Sequence, residues 1–416
     1  MAMRTFRVRI LLAVIAGLFV SSAESQVRAQ DITLPGDFPP RVKKRKPKPD
    51  ILPAAPNRSP SLTIPVSALG YGTPSSTYLG RHYSLFTLDF LGDNRLLFSL
   101  RAPGLLARET GEANADRQMK AFVLKLPEGS VESQTIWTVP DRAHYLWMLR
   151  DGKFLLRDRD GLKTGDASLQ TKLLLPLTGE FQALEIEPGG RTIVVHTLER
   201  TGSDPTSATE IVTRVVQVES SQVLRTTHSS ALAEQPINAE GSLEVVHDNK
   251  YDQWSLRLTP FSGDPNVLGR IESTCLPSPS FVSDSEILVA GCDPAHVPKL
   301  TAVTTDGKVL WQSEAPLSYV PPLLMTPPDG SRFVRESIVL KKKPSAGTET
   351  LWVKAVKGQV VRVFDAATGK VIFETPVAPI LDGGGNVALS PAGRLALLNN
   401  GSIQVFDLPS PPPPSN

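Results

Sequence analysis

The stretch "NVALSPAGRLALLNNGSIQVFDL", Asn386 to Leu408, alternates apolar and polar residues, breaks at Pro391-Ala392-Gly393, alternates again, and breaks at Asn399-Asn400-Gly401 before a last alternating run. Alternation at period two marks strands with one buried face, and breaks rich in Gly and Asn mark the turns between them. The three runs read as a three-stranded meander. Such a meander leaves an unpaired edge, which folded chains cover or pair.

The same signature, an alternating run, a turn of Gly, Asn, Asp or Ser, and a second apolar run, recurs along the chain. The copies are "FTLDFLGDNRLLFSL" from Phe86, "YLWMLRDGKFLLRDR" from Tyr145, "ALEIEPGGRTIVVHT" from Ala183, "INAEGSLEVVH" from Ile237, "PSFVSDSEILVAG" from Pro279, "LLMTPPDGSRFVRES" from Leu323 and the opening stretch. Their turn residues Asn94, Gly152, Gly190, Gly241, Ser285, Gly330 and Gly393 lie 38 to 63 residues apart. Several copies continue into a second hairpin, as in "VLKLPEGSVESQTIW" from Val123 and "VRVFDAATGKVIFET" from Val361. Repeats of roughly 40 to 50 residues, four strands each and without helical periodicity, predict an all-β chain folded as a single seven-bladed β-propeller. The last copy lacks its fourth strand, and "SLTIPV", Ser61 to Val66, is the segment expected to supply it and close the ring.

The pattern "SPAGRLALLNNGSIQVFD" resembles the YVTN/WD40-like propellers of bacteria, and the chain as a whole resembles exported propeller proteins of Gram-negative bacteria. The resemblance covers roughly Ser61 to Leu408. It implies a fold and says little of function, because propellers host binding, scaffolding and many chemistries.

The two ends fall outside the repeat. Arg4, Arg7 and Arg9 precede an eleven-residue apolar run, Ile10 to Val20, and Val27-Arg28-Ala29 offers the small residues of a cleavage site. The run is shorter than the ~20 residues a spanning helix needs, so residues 1–29 read as a signal peptide and the mature chain as periplasmic or secreted, with no transmembrane segment. Residues 30–60 hold "FPPRVKKRKPKPDILPAAPNRSP", whose prolines and like charges predict a disordered tether. Residues 61–408 are the expected propeller, and 409–416, ending "PPPPSN", a disordered proline-rich tail. Residues 1–50 carry ten of the 44 basic side chains and four of the 42 acidic ones, which leaves the folded body mildly acidic and argues against a nucleic-acid groove.

Chemistry is sparse. The two cysteines, Cys275 and Cys292, flank the fifth hairpin, with Cys292 opposite a residue near Pro277, about two places from Cys275, and are expected to form a disulfide across the start of the blade. No two of the six histidines fall within four residues of each other, so no local zinc motif exists. "RDRDG", Arg157 to Gly161, lacks the register of a calcium loop. "TTDGKVLWQ" and "FDAATGKVIFE" match a quinoprotein blade motif in part and read as Asp-Gly turns between outer strands. No catalytic residue, cofactor site or metal site is legible. The segment "PDRAHYLW", Pro140 to Trp147, packs polar residues just before an inner strand, making Asp141, Arg142 and His144 the expected binding face. The reading is a monomeric binding or scaffold module that recognises a protein or an envelope component. The alternative is a propeller enzyme acting on sugars, lactones or polymers, with a site assembled from several blades.

Overall fold

The structure is a computed structural model. It describes residues 48–72, 86–101, 117–140, 144–202, 204, 207–248, 252–316, 323–325, 330–341, 355–378, 385–390 and 392–409. These form seven antiparallel sheets arranged as the blades of a ring. Blade 1 is β2 (Phe86–Phe90), β3 (Arg95–Arg101), β4 (Arg117–Lys125) and β5 (Ser130–Val139). Blade 2 is β6 (Leu146–Met148), β7 (Phe154–Arg157), β8 (Gly161–Gly165) and β9 (Thr171–Pro176). Blade 3 is β10 (Glu180–Ile186), β11 (Thr192–Arg200), β12 (Thr209–Gln217) and β13 (Gln222–Ser229). Blade 4 has three strands, β14 (Gly241–His247), β15 (Gln253–Pro260) and β16 (Asn266–Glu272). Blade 5 is β17 (Ser278–Phe281), β18 (Glu286–Cys292), β19 (Pro298–Thr304) and β20 (Val309–Glu314). Blade 6 is β21 (Leu323–Met325), β22 (Arg332–Leu340), β23 (Val356–Asp365) and β24 (Val371–Val377). Blade 7 combines β25 (Val387–Leu389), β26 (Arg394–Asn399) and β27 (Ser402–Asp407) with β1 (Leu62–Pro65) from the other end of the chain.

The expected closure is therefore present. β1 lies antiparallel to β27 with Leu62 opposite Val405 and Ile64 opposite Ile403. The pairing is extended at both ends, where Ser61 N donates to Val405 O and Val66 N to Gly401 O. The open edge of the meander is thus covered by the chain's own start.

Alternation along each strand sends side chains to the two neighbouring blades, so the core is divided into seams. Seven clusters of buried apolar residues correspond to the seven seams. The largest joins blades 7 and 1, with Ile64, Val66, Ile403 and Val405 against Phe86, Leu88 and Phe98. Others join blades 1 and 2 through Met119, Trp137 and Phe154, 2 and 3 through Leu155 and Ile193, 4 and 5 through Leu256 and Ile287, 5 and 6 through Phe333 and Phe364, and 6 and 7 through Phe373 and Phe406. The apolar cluster between blades 3 and 4 consists of Val194, Val215 and Ile237, with Phe261 against them.

The turns between first and second strands carry the repeat's glycines for a physical reason. Gly190 has φ +67°, and a Cβ there would stand 2.7 Å from Arg150 N in the preceding blade's turn. Both the left-handed backbone and the close approach require glycine.

One stretch assigned to the tether belongs to the folded body. Residues 50–57 lie against blade 6, where Arg335 and Arg362 stand directly opposite each other on β22 and β23. Like charges so placed repel. Asp50 Oδ1 is 2.8 Å from Arg362 Nη2, with the Asp50 side chain 5% exposed. Its charge also reaches Arg335, whose guanidinium burial otherwise pushes to lower pKa. Ile51 O accepts from Arg362, and Asn57 bonds the backbone of Glu374 on β24. One aspartate among the prolines is the counter-ion that blade 6 needs.

Candidate functional site

The fourth copy departs from the repeat. Its hairpin was expected to hold an inner strand and a second strand, yet the inner strand is reduced to a single bridge, Ile237 opposite Ser242. Pro236 is the cause: it has no N–H to give to a ladder, and it biases Gln235 away from helix and into isolated extended backbone. Ala231 to Glu234 run exposed and outside any strand. β14, a second strand by its place in the repeat, therefore takes the innermost position and packs near β17. Its residues are mostly half-buried, where β3 and β22 in the same position of blades 1 and 6 are buried almost throughout.

A polar seam lies beside the reduced inner strand. On blade 3, His196 Nε2 lies 2.9 Å from Glu185 Oε2 and its Nδ1 lies 2.9 Å from Thr213 Oγ1. Burial, with a smaller push from the charge of Glu234, raises the Glu185 carboxyl above its ordinary range, while His196 opposes the rise. On blade 4, Leu243, Leu256 and Leu258 face blade 5, so the alternate residues Glu244, Ser255 and Arg257 face blade 3. Arg257 Nη1 is 3.5 Å from Glu244 Oε1, Ser255 Oγ donates to Asp248 at 2.6 Å, and Arg270 Nε is 3.3 Å from the same carboxylate. Arg225 of blade 3 ties the two blades by donating to Phe261 O at 3.0 Å. The notch thus carries four acids, Glu185, Glu234, Glu244 and Asp248, against Arg225, Arg257 and Arg270, beside a narrow apolar floor.

Of the residues expected at the binding face, Asp141 and Arg142 lie outside the described residues. His144 is half-buried and stacks on Trp147 with ring centroids 4.3 Å apart. Burial pushes its pKa down to about 4, which leaves it neutral. Cys275 and Cys292 are bridged, with Cα atoms 5.5 Å apart, tying the connection from blade 4 to the end of β18. The Asp-Gly turns are structural: Asp365 Oδ1 accepts from Thr368 N and Oγ1, and Trp311 Nε1 donates to Ala366 O. "RDRDG" is a turn closed by Asp158, which accepts from Asp160 N and Gly161 N.

Two features were not singled out from the sequence. An open cleft of about 660 Å³ lies between the turns of blades 1 and 2, lined by Asp93, Arg95, Asp151 and Asp166 among others. Asp93 is partly engaged there, accepting from Ala392 N at 2.7 Å. Asp89, on the inner strand of blade 1, has its carboxyl pushed up to about 8 by burial. Among the described residues, no three His, Cys, Asp or Glu side chains are placed to hold a metal ion, and no helix is long and apolar enough to cross a membrane.

No family model and no curated protein matches the chain. Solved structures similar to it include the acylaminoacyl peptidase of Pyrococcus horikoshii, at 12% identity and TM-score 0.48, over 80% of this chain and 54% of the peptidase. Another is the β-propeller domain of the Trilobed protease from Pyrococcus furiosus, at 12% identity and TM-score 0.46, over 78% of this chain and 93% of that domain. A third is the WD40 domain of Toxoplasma gondii coronin, at 9% identity and TM-score 0.43, over 86% of this chain and 87% of that domain. The chain is similar in fold to propellers, and it spans about half the length of the peptidase.

Proposed function

We propose that this protein is an exported recognition module, working in the periplasm or outside the cell, that binds a protein or an envelope component at the notch in blade 4. The observation that carries the reading is the reduced inner strand of that blade. A ring sealed by apolar seams elsewhere has one seam where paired charges, Glu244 with Arg257 and Asp248 with Arg270, stand at the surface left by the missing strand. Charges whose partners lie within their own blade need little from blade 3, so the seam tolerates a guest between them. A concave, partly apolar surface with a few placed polar groups is the general form of a binding site.

The test pairs two sets of substitutions in the mature protein. Glu244→Gln with Arg257→Gln alters the notch, and Asp141→Ala, Arg142→Ala with His144→Ala alters the face expected from sequence. Capture of envelope components is compared at equal melting temperature. Loss of a partner in the notch variant alone supports the notch, loss in the other variant alone moves recognition to the segment at Pro140 to Trp147, and unchanged capture in both overturns the reading.

A further inference from the structure

Resting on that reading, we infer that the guest is an extended peptide of a partner protein, added beside β14 as the missing inner strand of blade 4, with apolar side chains alternating with basic ones. Strand addition needs free backbone groups on an accessible edge. Leu243 N donates to Pro236 O at 2.8 Å and Asn238 N to Gly241 O at 3.0 Å, which identifies Gly241 and Leu243 as positions whose backbone faces the ring axis. The same parity continues at Val245 and His247. Beyond Leu243 this inward edge has no partner among the described residues. The chain's own candidate for the place, Ala231 to Gln235, does not pair there, because Pro236 has ended the strand one residue earlier. The free edge of β27, by contrast, is covered by β1.

The chemistry of the guest follows from the two sides of β14. A strand laid against it sends alternate side chains toward blade 5 and toward blade 3. Toward blade 5 they meet the half-buried Val245, at the edge of the apolar cluster that holds Leu256, Phe281 and Ile287. Toward blade 3 they meet Glu185, Glu234, Glu244 and Asp248 against Arg225, Arg257 and Arg270, and since Glu244 and Asp248 are already paired with Arg257 and Arg270, lysine or arginine complements Glu185 and Glu234 on that side. An acidic peptide is disfavoured by the same two carboxyl groups.

The experiment uses the mature protein and two labelled octapeptides, one of alternating Val and Lys and one with the same order but N-methylated on alternate residues. Saturable binding of the first by fluorescence anisotropy is expected, at least tenfold weaker for the second, with slowed exchange of the Val245 and His247 amides. Val245→Pro, which removes an inward N–H without touching the β15 ladder, should weaken binding at least tenfold, and Val245→Ala should not. Equal affinity for both peptides, unprotected amides, or no binding up to about 1 mM overturns strand addition. The methylated peptide keeps the test decisive if Val245→Pro does not fold. Partner capture that is lost in the Glu244/Arg257 variant while these amides stay unprotected leaves recognition standing and removes only the strand.

Discussion

Closure by β1 makes a quantitative prediction at Ile64. This side chain is 8% exposed, sits opposite Ile403, and belongs to the cluster that joins blades 7 and 1. It also presses on the outer turn of blade 1, where a Cβ on Gly129 would lie 3.0 Å from Ile64 Cγ1. Ile64→Ala removes buried methyl groups and leaves a void walled by two blades. Such changes cost about 2–5 kcal/mol. Because β1 is an edge strand and can settle inward, the lower part of that range, about 2–3 kcal/mol, is expected here. For a domain of this size that is a fall of several degrees in Tm, on the order of 1–3 °C per kcal/mol. The measurement is denaturant unfolding of the protein, alongside Ile403→Ala as a reference in the same seam and the double variant. The two changes touch one cavity and should be non-additive by more than about 0.5 kcal/mol. Removing residues 1–48 should leave stability unchanged, whereas removing residues 1–66 strips β27 of its partner and leaves Arg335 and Arg362 facing each other without Asp50, so aggregation is expected. An Ile64→Ala cost below about 0.5 kcal/mol together with a normal cost at Ile403 would refute closure, as would equal behaviour of the two truncations.

Three further outcomes are expected. The Asp89 carboxyl has a folded pKa of about 8, above its unfolded value, so the folded state holds the proton more tightly and stability falls as pH rises from about 4 to about 8; since the residue is only half-buried, the fall assigned to it is on the order of 2–4 kcal/mol, and Asp89→Asn should flatten that part of the urea-unfolding profile between pH 4 and 9, an unchanged slope counting against it. Reduction of the Cys275–Cys292 bridge should cost about 3 kcal/mol by releasing a loop of that size in the unfolded chain, and thiol titration of the denatured, unreduced protein should find no free thiol. Asp50→Asn should destabilise by about 2–3 kcal/mol, less than a fully buried pair would lose because Glu374 also reaches Arg362, and adding Arg362→Met should restore most of the loss; a cost for the double variant equal to the sum of the singles would show that the pair is not coupled.

The parts of this fold that could be read along the chain are those where the backbone itself dictates residue type. The turn glycines Gly152, Gly190, Gly330 and Gly393 all have positive φ, and a left-handed backbone writes itself into sequence as glycine. Closure was legible for a different reason: a three-stranded last repeat is an edge that must be paired, and one alternating segment remained to pair it. Asp50 was not legible, because its role depends on two arginines about 300 residues later that happen to stand opposite each other; composition averages the segment into a tether and hides an aspartate whose side chain is buried. The notch failed for a subtler reason. "INAEGSLEVVH" has the turn and the alternating run of its six counterparts, and the signal that separates it, Pro236, stands one residue before the quoted pattern begins.

The distribution of apolar burial around the ring gives that proline its consequence. The seam sealed by the chain's two ends has the largest cluster of buried side chains, and the seam beside the reduced strand has the smallest. A ring tolerates one weak seam only if the others hold the blades in place, since opening at one point otherwise propagates to its neighbours. Here the disulfide ties the blade 4 connection to β18, Arg225 ties blade 3 to Phe261, and Arg191 reaches from the turn of blade 3 to Asp284 of blade 5 at 3.0 Å, spanning the short turn of blade 4. These ties hold the two sides of the notch at fixed spacing without filling it. A surface that is held open by cross-links on both sides is preorganised for a guest, and the entropy of shaping it has already been met by folding. The same polar lining that denies the seam its apolar seal, Glu185, His196, Glu244 and Arg257, is what would give such a guest its specificity.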